Sequence, residues 1–256
     1  MRPVSLRYLR RNLKRLVKLF FANLRDFIWF VGCLRRWQNS AGAEWNAFDA
    51  DFNICTSDRR SDAGTAKGHY FLQDLWAAQH VHKCRPATHI DVGSSIQGFV
   101  SHVASFMAVE YIDIRPLRSG VPNLVYRRGS ILELPYESNS VESLSCLHVI
   151  EHIGLGRYGD SIDPDGWILG LKELERVLAL GGQLLLSAPC GIPCVQFNAH
   201  RVFRPTQITE ILKNLVLEEF SLIENDRSDS WISNCHPARA DNLTFGCGLY
   251  RFRKPI

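Results

Sequence analysis

The sequence predicts an α/β protein, a doubly wound and mostly parallel sheet of seven strands preceded by a basic amphipathic helix. Three observations predict it. Short apolar runs with strand character alternate with helical stretches from Thr88 onward. A turn bracketed by Gly93 and Gly98 follows the first of those runs, where an open parallel sheet binds its ligand. Near the start, Leu6, Leu9, Leu13, Leu16, Phe20, Leu24, Phe27 and Val31 recur at steps of three and four, a helical stripe.

The 256 residues, 46% hydrophobic and 22% charged, suffice for one large core and exclude a disordered chain or a small disulfide scaffold. Charge is unevenly spread. Residues 1–37 hold ten Lys or Arg against the single acid Asp26, so this arm is +9 and the remainder −5. A basic face opposite an apolar stripe ending in Phe and Trp suits a membrane surface bearing anionic lipid. It suits equally a helix packed on its own domain or on a second copy. No stretch approaches the ~20 apolar residues of a spanning helix, and no signal peptide is expected. A nucleic-acid partner is not expected, because the basic surface lies on an appendage and the body is acidic. The eight cysteines are scattered and point to a reducing, cytoplasmic compartment, peripheral to a membrane if the arm binds one. Cys190 and Cys194 are separated by three residues, and Cys235-His236 and Cys247 complete a zinc set only if the fold gathers them; no metal is expected.

Residues 38–66, rich in Ser, Ala, Gly, Asn and Asp, read as a linker or loose cover, and residues 67–256 as the α/β domain. A helix over 69–82 carries Tyr70, Leu72, Leu75, Trp76 and Val81 as core or lid residues. Strands follow at 88–91, 107–114, 124–126, 141–147 and 183–187, with two more at 216–223 and 244–252. Phe99, Val103 and Phe106 mark one helix face after the first strand. Asp163 is placed to cap the next helix, with Pro164 in its first turn and Gly181 at its end. Another helix covers 206–215. Between Ile114 and Leu124 the chain is too short for a crossover helix and carries Pro116 and Pro122, so a bare loop is expected there.

The turn Val92-Gly93-Ser94-Ser95-Ile96-Gln97-Gly98 lets backbone approach a ligand and opens a helix whose free N–H groups favour an anion. Asp113 ends the second strand, 22 residues past Asp91, where a carboxylate can accept hydrogen bonds from both hydroxyls of a ribose. The same turn is also the dinucleotide fingerprint with its central Gly replaced by Ser, so a nicotinamide-dependent oxidoreductase stays open.

These segments recur in one order with Leu134-Pro-Tyr-Glu-Ser-Asn-Ser-Val141, His148-Val-Ile-Glu-His152 and Leu174-Glu-Arg-Val-Leu-Ala-Leu-Gly-Gly-Gln-Leu-Leu-Leu-Ser-Ala-Pro189. The series, from about Thr88 to Phe252, closely resembles the class I S-adenosylmethionine-dependent methyltransferases, with a Rossmann-like fold. The runs 147–160 and 197–203 most resemble an uncharacterised methyltransferase-like family. The resemblance implies S-adenosylmethionine as cofactor and a small-molecule or saccharide acceptor. It implies that Asp91, Gly93, Ser95 and Gly98 shape the pocket for the methionine portion and that Asp113 holds the ribose. Ser130 and Ile131 would border the adenine, with His148 beneath the sulfonium arm. Ser95 stands where the family has a third glycine and Ser130 where it has an acid, so a non-catalytic binding or scaffold protein also stays open.

For a hydroxyl acceptor a general base helps, and imidazole suits it near neutral pH. His200 or His152 is the candidate base, with Glu151 beside His152. Arg157, Tyr158, Asp160, Asn198 and Arg201 are the candidate acceptor contacts, on the segments after the fourth and fifth strands.

Overall fold

In a computed structural model of the protein, residues 6–40 and 54–256 are described, with side chains from residue 23 onward. The side chains of the arm's apolar positions before residue 23, and residues 41–53 of the expected linker, lie outside what is described. The chain divides into two compact units, residues 1–65 and 66–256.

In the first unit, α1 (Leu6–Ser40) is a single 35-residue helix, three residues longer than expected at its end. At 1.5 Å per residue it measures about 52 Å. Asp26, the arm's lone acid, pairs with Arg60 and reaches Arg59 at 4.0 Å, and Arg59 stacks over Trp29 at 4.5 Å. The short turn Asp58–Arg60 is thereby tied to α1. Leu24, Phe27 and Ile28 are exposed on it. Among the described residues no helix is long and apolar enough to cross a membrane.

The second unit begins with α2 (His69–Cys84), which buries Leu72, Trp76 and Val81 but leaves Tyr70 exposed. Then come β1 (His89–Val92), a wide helical turn (Ile96–Val100) running into the short α3 (Ser101–Ala104), β2 (Val109–Asp113) and β3 (Leu124–Arg128). Next are β4 (Val141–Leu147), a single 3-10 turn (Ile150–His152), α4 (Gly166–Val177) and β5 (Leu178–Cys190). A small hairpin, β6 (Cys194–Gln196) with β7 (His200–Val202), precedes α5 (Pro205–Ile211), β8 (Val216–Ile223) and β9 (Gly246–Arg253).

The seven-stranded sheet has the order β3-β2-β1-β4-β5-β9-β8. Its first five strands are parallel, while β9 runs antiparallel between β5 and β8. Both faces are covered, as a parallel sheet requires. Leu144, Leu184 and Leu186 pack on the side of Leu171 and Leu174 from α4, whereas Leu147, Leu185 and Leu249 pack against Trp76 and Phe99 on the α2 side. The strand order reverses between β1 and β4, which opens a crevice at their carboxyl ends.

The second crossover is a bare loop, as its length demands, held by the Tyr126 hydroxyl donating to the Arg115 carbonyl at 2.9 Å. Several local readings are corrected. Helix α4 starts at Gly166, because the Asp163 carboxylate is spent earlier, on the Asp165 N–H at 2.9 Å. The helix stops at Val177, and Gly181, at φ +73°, bends the chain inside β5, with its N–H on the Lys254 carbonyl. Strand β5 runs on to Cys190, because β9 pairs with it from Gln183 to that end. Phe106 falls beyond the end of α3 and is exposed.

Candidate active site

The crevice is a cavity whose walls come from the ends of β1, β2, β3 and β4 and from the loop 153–160. Gly93, Asp113, Ser130, Ile131, His148, His152, Tyr158 and Asp160 line it. Gly93 stands at φ +73°, and a Cβ there would press two Val149 methyls at 3.2 Å, so backbone forms this wall.

Asp91, Ser95 and Gly98 do not line the cavity. Asp91 is fully buried, and its carboxylate accepts the Ser94 N–H at 3.0 Å, the Ser94 hydroxyl at 2.6 Å and the Ser145 hydroxyl. It braces the turn from below. Ser95 caps the following helical turn, its Oγ accepting the Gly98 N–H at 3.3 Å. Gly98 is glycine because a Cβ would collide with the carboxylate of Asp74 on α2. Asp74 is itself buried, which pushes its carboxyl up to about 7.

A directed run of donors crosses the sheet to Asp91. Gln183 Nε2 donates to Ser143 Oγ at 3.3 Å, Ser143 Oγ lies 2.8 Å from His89 Nδ1, and His89 Nε2 lies 2.9 Å from Ser145 Oγ, which donates to Asp91. Burial holds the His89 imidazole neutral, down to about 3, so it has one N–H and one lone pair. The Ser145 hydroxyl hydrogen is committed to Asp91, so the proton sits on His89 Nε2 and Nδ1 accepts from Ser143.

Asp113 lies on the cavity wall, 8% exposed, but its oxygens are engaged. They accept the Tyr111 hydroxyl at 2.8 Å, the Arg115 N–H at 2.8 Å and the Arg115 guanidinium at 3.0 and 2.5 Å. Burial pulls this carboxyl upward, and the Arg115 hydrogen bonds outweigh that and hold it below the usual range. The Arg115 side chain is half exposed, so its guanidinium borders solvent as well as Asp113.

Ser130 Oγ accepts the Leu132 N–H at 3.2 Å, which places the hydroxyl at the turn after β3, and the buried Ile131 adds an apolar surface beside it. His148 sits at φ +53°, an unusual backbone state for a residue with a Cβ, held by its N–H on Ser187. Its Nδ1 lies 2.6 Å from Oε1 of Glu151, which is 1% exposed. Burial raises the Glu151 carboxyl and the facing His148 more than offsets it, so the group stays below the usual carboxylate range. Glu151 is enclosed behind His148, with its Oε1 3.7 Å from His152 Nε2, and does not itself line the cavity.

Of the two candidate bases, His152 lines the cavity and His200 does not. His152 Nδ1 lies 2.7 Å from the Ala199 carbonyl, so Nδ1 carries the hydrogen and Nε2 keeps its lone pair. Burial pushes this imidazole below 6.5, ahead of the opposing pull of Glu151. The free-base form therefore persists to lower pH than in an ordinary histidine. An NMR titration of the ring is expected to place its midpoint below 6.5, and a midpoint at or above that value would rule out burial as the controlling effect. His200 is half-buried against Phe245, with ring centroids 5.1 Å apart.

Arg157 donates to the Ala199 carbonyl at 2.8 Å and lies over Tyr158 at 5.1 Å, while Arg115 lies over the same ring at 4.6 Å. Asp160 organises its loop by accepting the N–H groups of Gly154, Gly156 and Tyr158 at 2.8–3.3 Å. Two expected acceptor contacts are elsewhere. Asn198 is exposed at the tip of the β6–β7 hairpin. Arg201 is 7% exposed, its guanidinium donating to the carbonyls of Ile153 at 2.7 Å, Pro164 at 3.3 Å and Glu151 at 3.4 Å. It clamps the loop rather than facing a ligand. The residues that sequence reasoning missed are on α2: His69, Gln73 and Asp74, all buried, whose polar types at a helix start were the available signal.

Residues 135–230 match a family model described as "Caenorhabditis protein of unknown function, DUF268". No curated protein matches the chain. Among solved structures, a putative sarcosine dimethylglycine methyltransferase from Galdieria sulphuraria is similar, with TM-score 0.51 and 17% identity over 71% of this chain and 85% of that one. Geranyl diphosphate methyltransferase in complex with SAM gives TM-score 0.52 and 14% identity over 71% and 84%. The 4+2 cyclase SpnF gives TM-score 0.52 and 11% identity over 72% and 82%. Identities this low speak for architecture alone. With its 3-2-1-4-5 run of parallel strands and a reversed strand inserted before the last, the chain has the Rossmann-like fold of the class I S-adenosylmethionine-dependent methyltransferases.

Proposed function

We propose that the chain is a methyltransferase that binds S-adenosylmethionine in this crevice and acts on a small-molecule or saccharide acceptor. One observation carries the reading: an open cleft at the strand-order reversal, with the Gly93 backbone on one wall and the buried carboxylate of Asp113 on another. The chemistry of the walls fits the group. Ile112, Ile131 and Val149 supply apolar surface for a purine, and Asp113 supplies two oxygens for a ribose diol once Arg115 turns outward.

Bound there, the cofactor supplies an electrophilic methyl group on a sulfonium. The chain's own residues orient the reactants and manage one proton. Gly93 lets backbone approach the amino-acid portion. His152 Nε2 takes the proton of an acceptor hydroxyl, its ring fixed by the Ala199 carbonyl. Tyr158, with the Arg157 guanidinium over its ring, covers the opening beside it. The exposed Leu24, Phe27 and Ile28 on α1, in a strongly basic arm, support a further reading in which α1 rests on anionic lipid.

The test is calorimetry with S-adenosylhomocysteine. Wild type is expected to bind, and Asp113→Ala to weaken binding by roughly 10²-fold, the worth of two hydrogen bonds to a charged acceptor. No heat from wild type at millimolar ligand would overturn the reading. A second reading, a binding protein without turnover, is favoured by the engagement of Asp113 with Arg115. Binding without methyl transfer across a broad acceptor panel would select it.

A further inference from the structure

Behind the cleft wall, three buried side chains from distant parts of the chain converge: His69 at the start of α2, His148 after β4 and Cys247 in β9. Each offers one ligand atom, and the three atoms lie within 4.8 Å of one another. The two imidazole rings stack at 5.7 Å and 11°.

Their hydrogen bonding leaves the inward atoms unused. His69 Nδ1 lies 3.3 Å from Asp226 Oδ1, and His148 Nδ1 lies 2.6 Å from Glu151 Oε1. Each carboxylate holds the ring hydrogen on Nδ1 and directs the Nε2 lone pair the other way. Both Nε2 atoms are buried without a partner. The Cys247 thiol has only a long contact to the Gly248 carbonyl, 3.9 Å. Two stranded lone pairs beside a thiol carry a desolvation cost that packing alone does not require. A carboxylate behind each imidazole is the arrangement that orients histidine toward a metal.

We infer that His69, His148 and Cys247 form a binding site for a divalent cation of the zinc type, with the two Nε2 atoms and the Cys247 sulfur as ligands. The donor set selects the cation. Two nitrogens and a sulfur suit zinc and exclude magnesium and calcium, which take oxygen. Tetrahedral coordination needs ligand atoms roughly 3.3–3.7 Å apart, given metal–ligand bonds of about 2.0–2.3 Å, so the trio closes by about 1 Å around the ion. On binding, the Cys247 S–H bond breaks, its proton leaves to solvent and the sulfur lone pair bonds the metal. Three protein ligands leave a fourth position open, and His148 belongs to the cleft lining as well. Metal uptake stands apart from the methyl-transfer reading, since Asp113 is no part of it.

The test uses the full chain without a histidine tag, stripped by chelator. Zinc titrated against a chromophoric competitor is expected to bind at one equivalent. Cobalt(II) in the wild type is expected to give a thiolate-to-metal charge-transfer band in the near ultraviolet. Cys247→Ser should lose that band, and His69→Gln should weaken zinc by at least tenfold. Asp226→Asn, a surface change that leaves the ligands intact, should weaken it by roughly tenfold. A wild-type protein that takes up no zinc, a cobalt spectrum without the thiolate band, or wild-type zinc binding by Cys247→Ser would each overturn the site. The cobalt spectrum is read on the wild type, so misfolding of a variant cannot obscure the answer.

Discussion

Replacing Asp91 by alanine is expected to lower the stability of the α/β domain by about 3–5 kcal/mol, although this side chain lines no cavity. The carboxylate satisfies three donors in the core, the Ser94 N–H, the Ser94 hydroxyl and the Ser145 hydroxyl. Alanine strands all three where no water reaches. For a domain of this size the loss amounts to roughly 10 °C in Tm. Asparagine, which keeps the shape and one acceptor, is expected to recover about half. The carboxyl itself stands at about 6, because burial lifts it against the pull of its donors. Its folded value exceeds the unfolded one, so the folded state holds the extra proton between about pH 4 and 6 and stability falls as pH rises through that window. The difference between Asp91→Asn and wild type should therefore be larger at pH 5 than at pH 8, in favour of wild type. Denaturant unfolding at the two pH values checks this. A loss under 1 kcal/mol for Asp91→Ala would mean that the turn is braced by something else.

Arg201→Ala is expected to cost about 3–4 kcal/mol and to loosen the loop 153–164. The guanidinium is nearly inaccessible and reaches the carbonyls of Glu151, Ile153 and Pro164. Its removal leaves the buried Glu151 carbonyl and the partly buried Ile153 and Pro164 carbonyls without this donor. Lysine should rescue little, because an ammonium cannot span the three positions that the planar fork reaches. Limited proteolysis within residues 153–164, with thermal unfolding alongside, reads the effect. An acceptor-binding role would instead leave both unchanged and alter only turnover.

These two residues show where sequence reasoning reached and where it stopped. The strands were readable because β4 and β8 alternate or run apolar between turn residues, and the Val141–Leu147 and Val216–Ile223 bounds needed no correction. The bare second crossover was readable from chain length and two prolines. The surroundings of side chains were not. Asp91 and Asp113 both lie near the ends of parallel strands and on the same face of the sheet, yet one is enclosed in the core and the other reaches the cleft wall, because Asp91 pairs with Tyr111 and Asp113 lies two residues further along. Arg201 read as a ligand contact because its hairpin, only three residues per strand, carries too short a pattern to show which side is covered. The grouping of His69, His148 and Cys247 was invisible for a different reason. Its members lie 79 and 99 residues apart along the chain, on α2, after β4 and on β9, and only the tertiary fold brings them together.

The directed run from Gln183 to Asp91 has a consequence for how the sheet assembles. All of its side chains project from the α2-facing side of β1, β4 and β5, while Ile90, Leu144 and Leu184 occupy the other side. A one-residue slip of β4 would send Ser143 and Ser145 among aliphatic neighbours and leave His89 with no one to hand its hydrogen to. Misaligned pairings are thus penalised by polarity as well as by fit once the helices cover the sheet and water no longer reaches these groups.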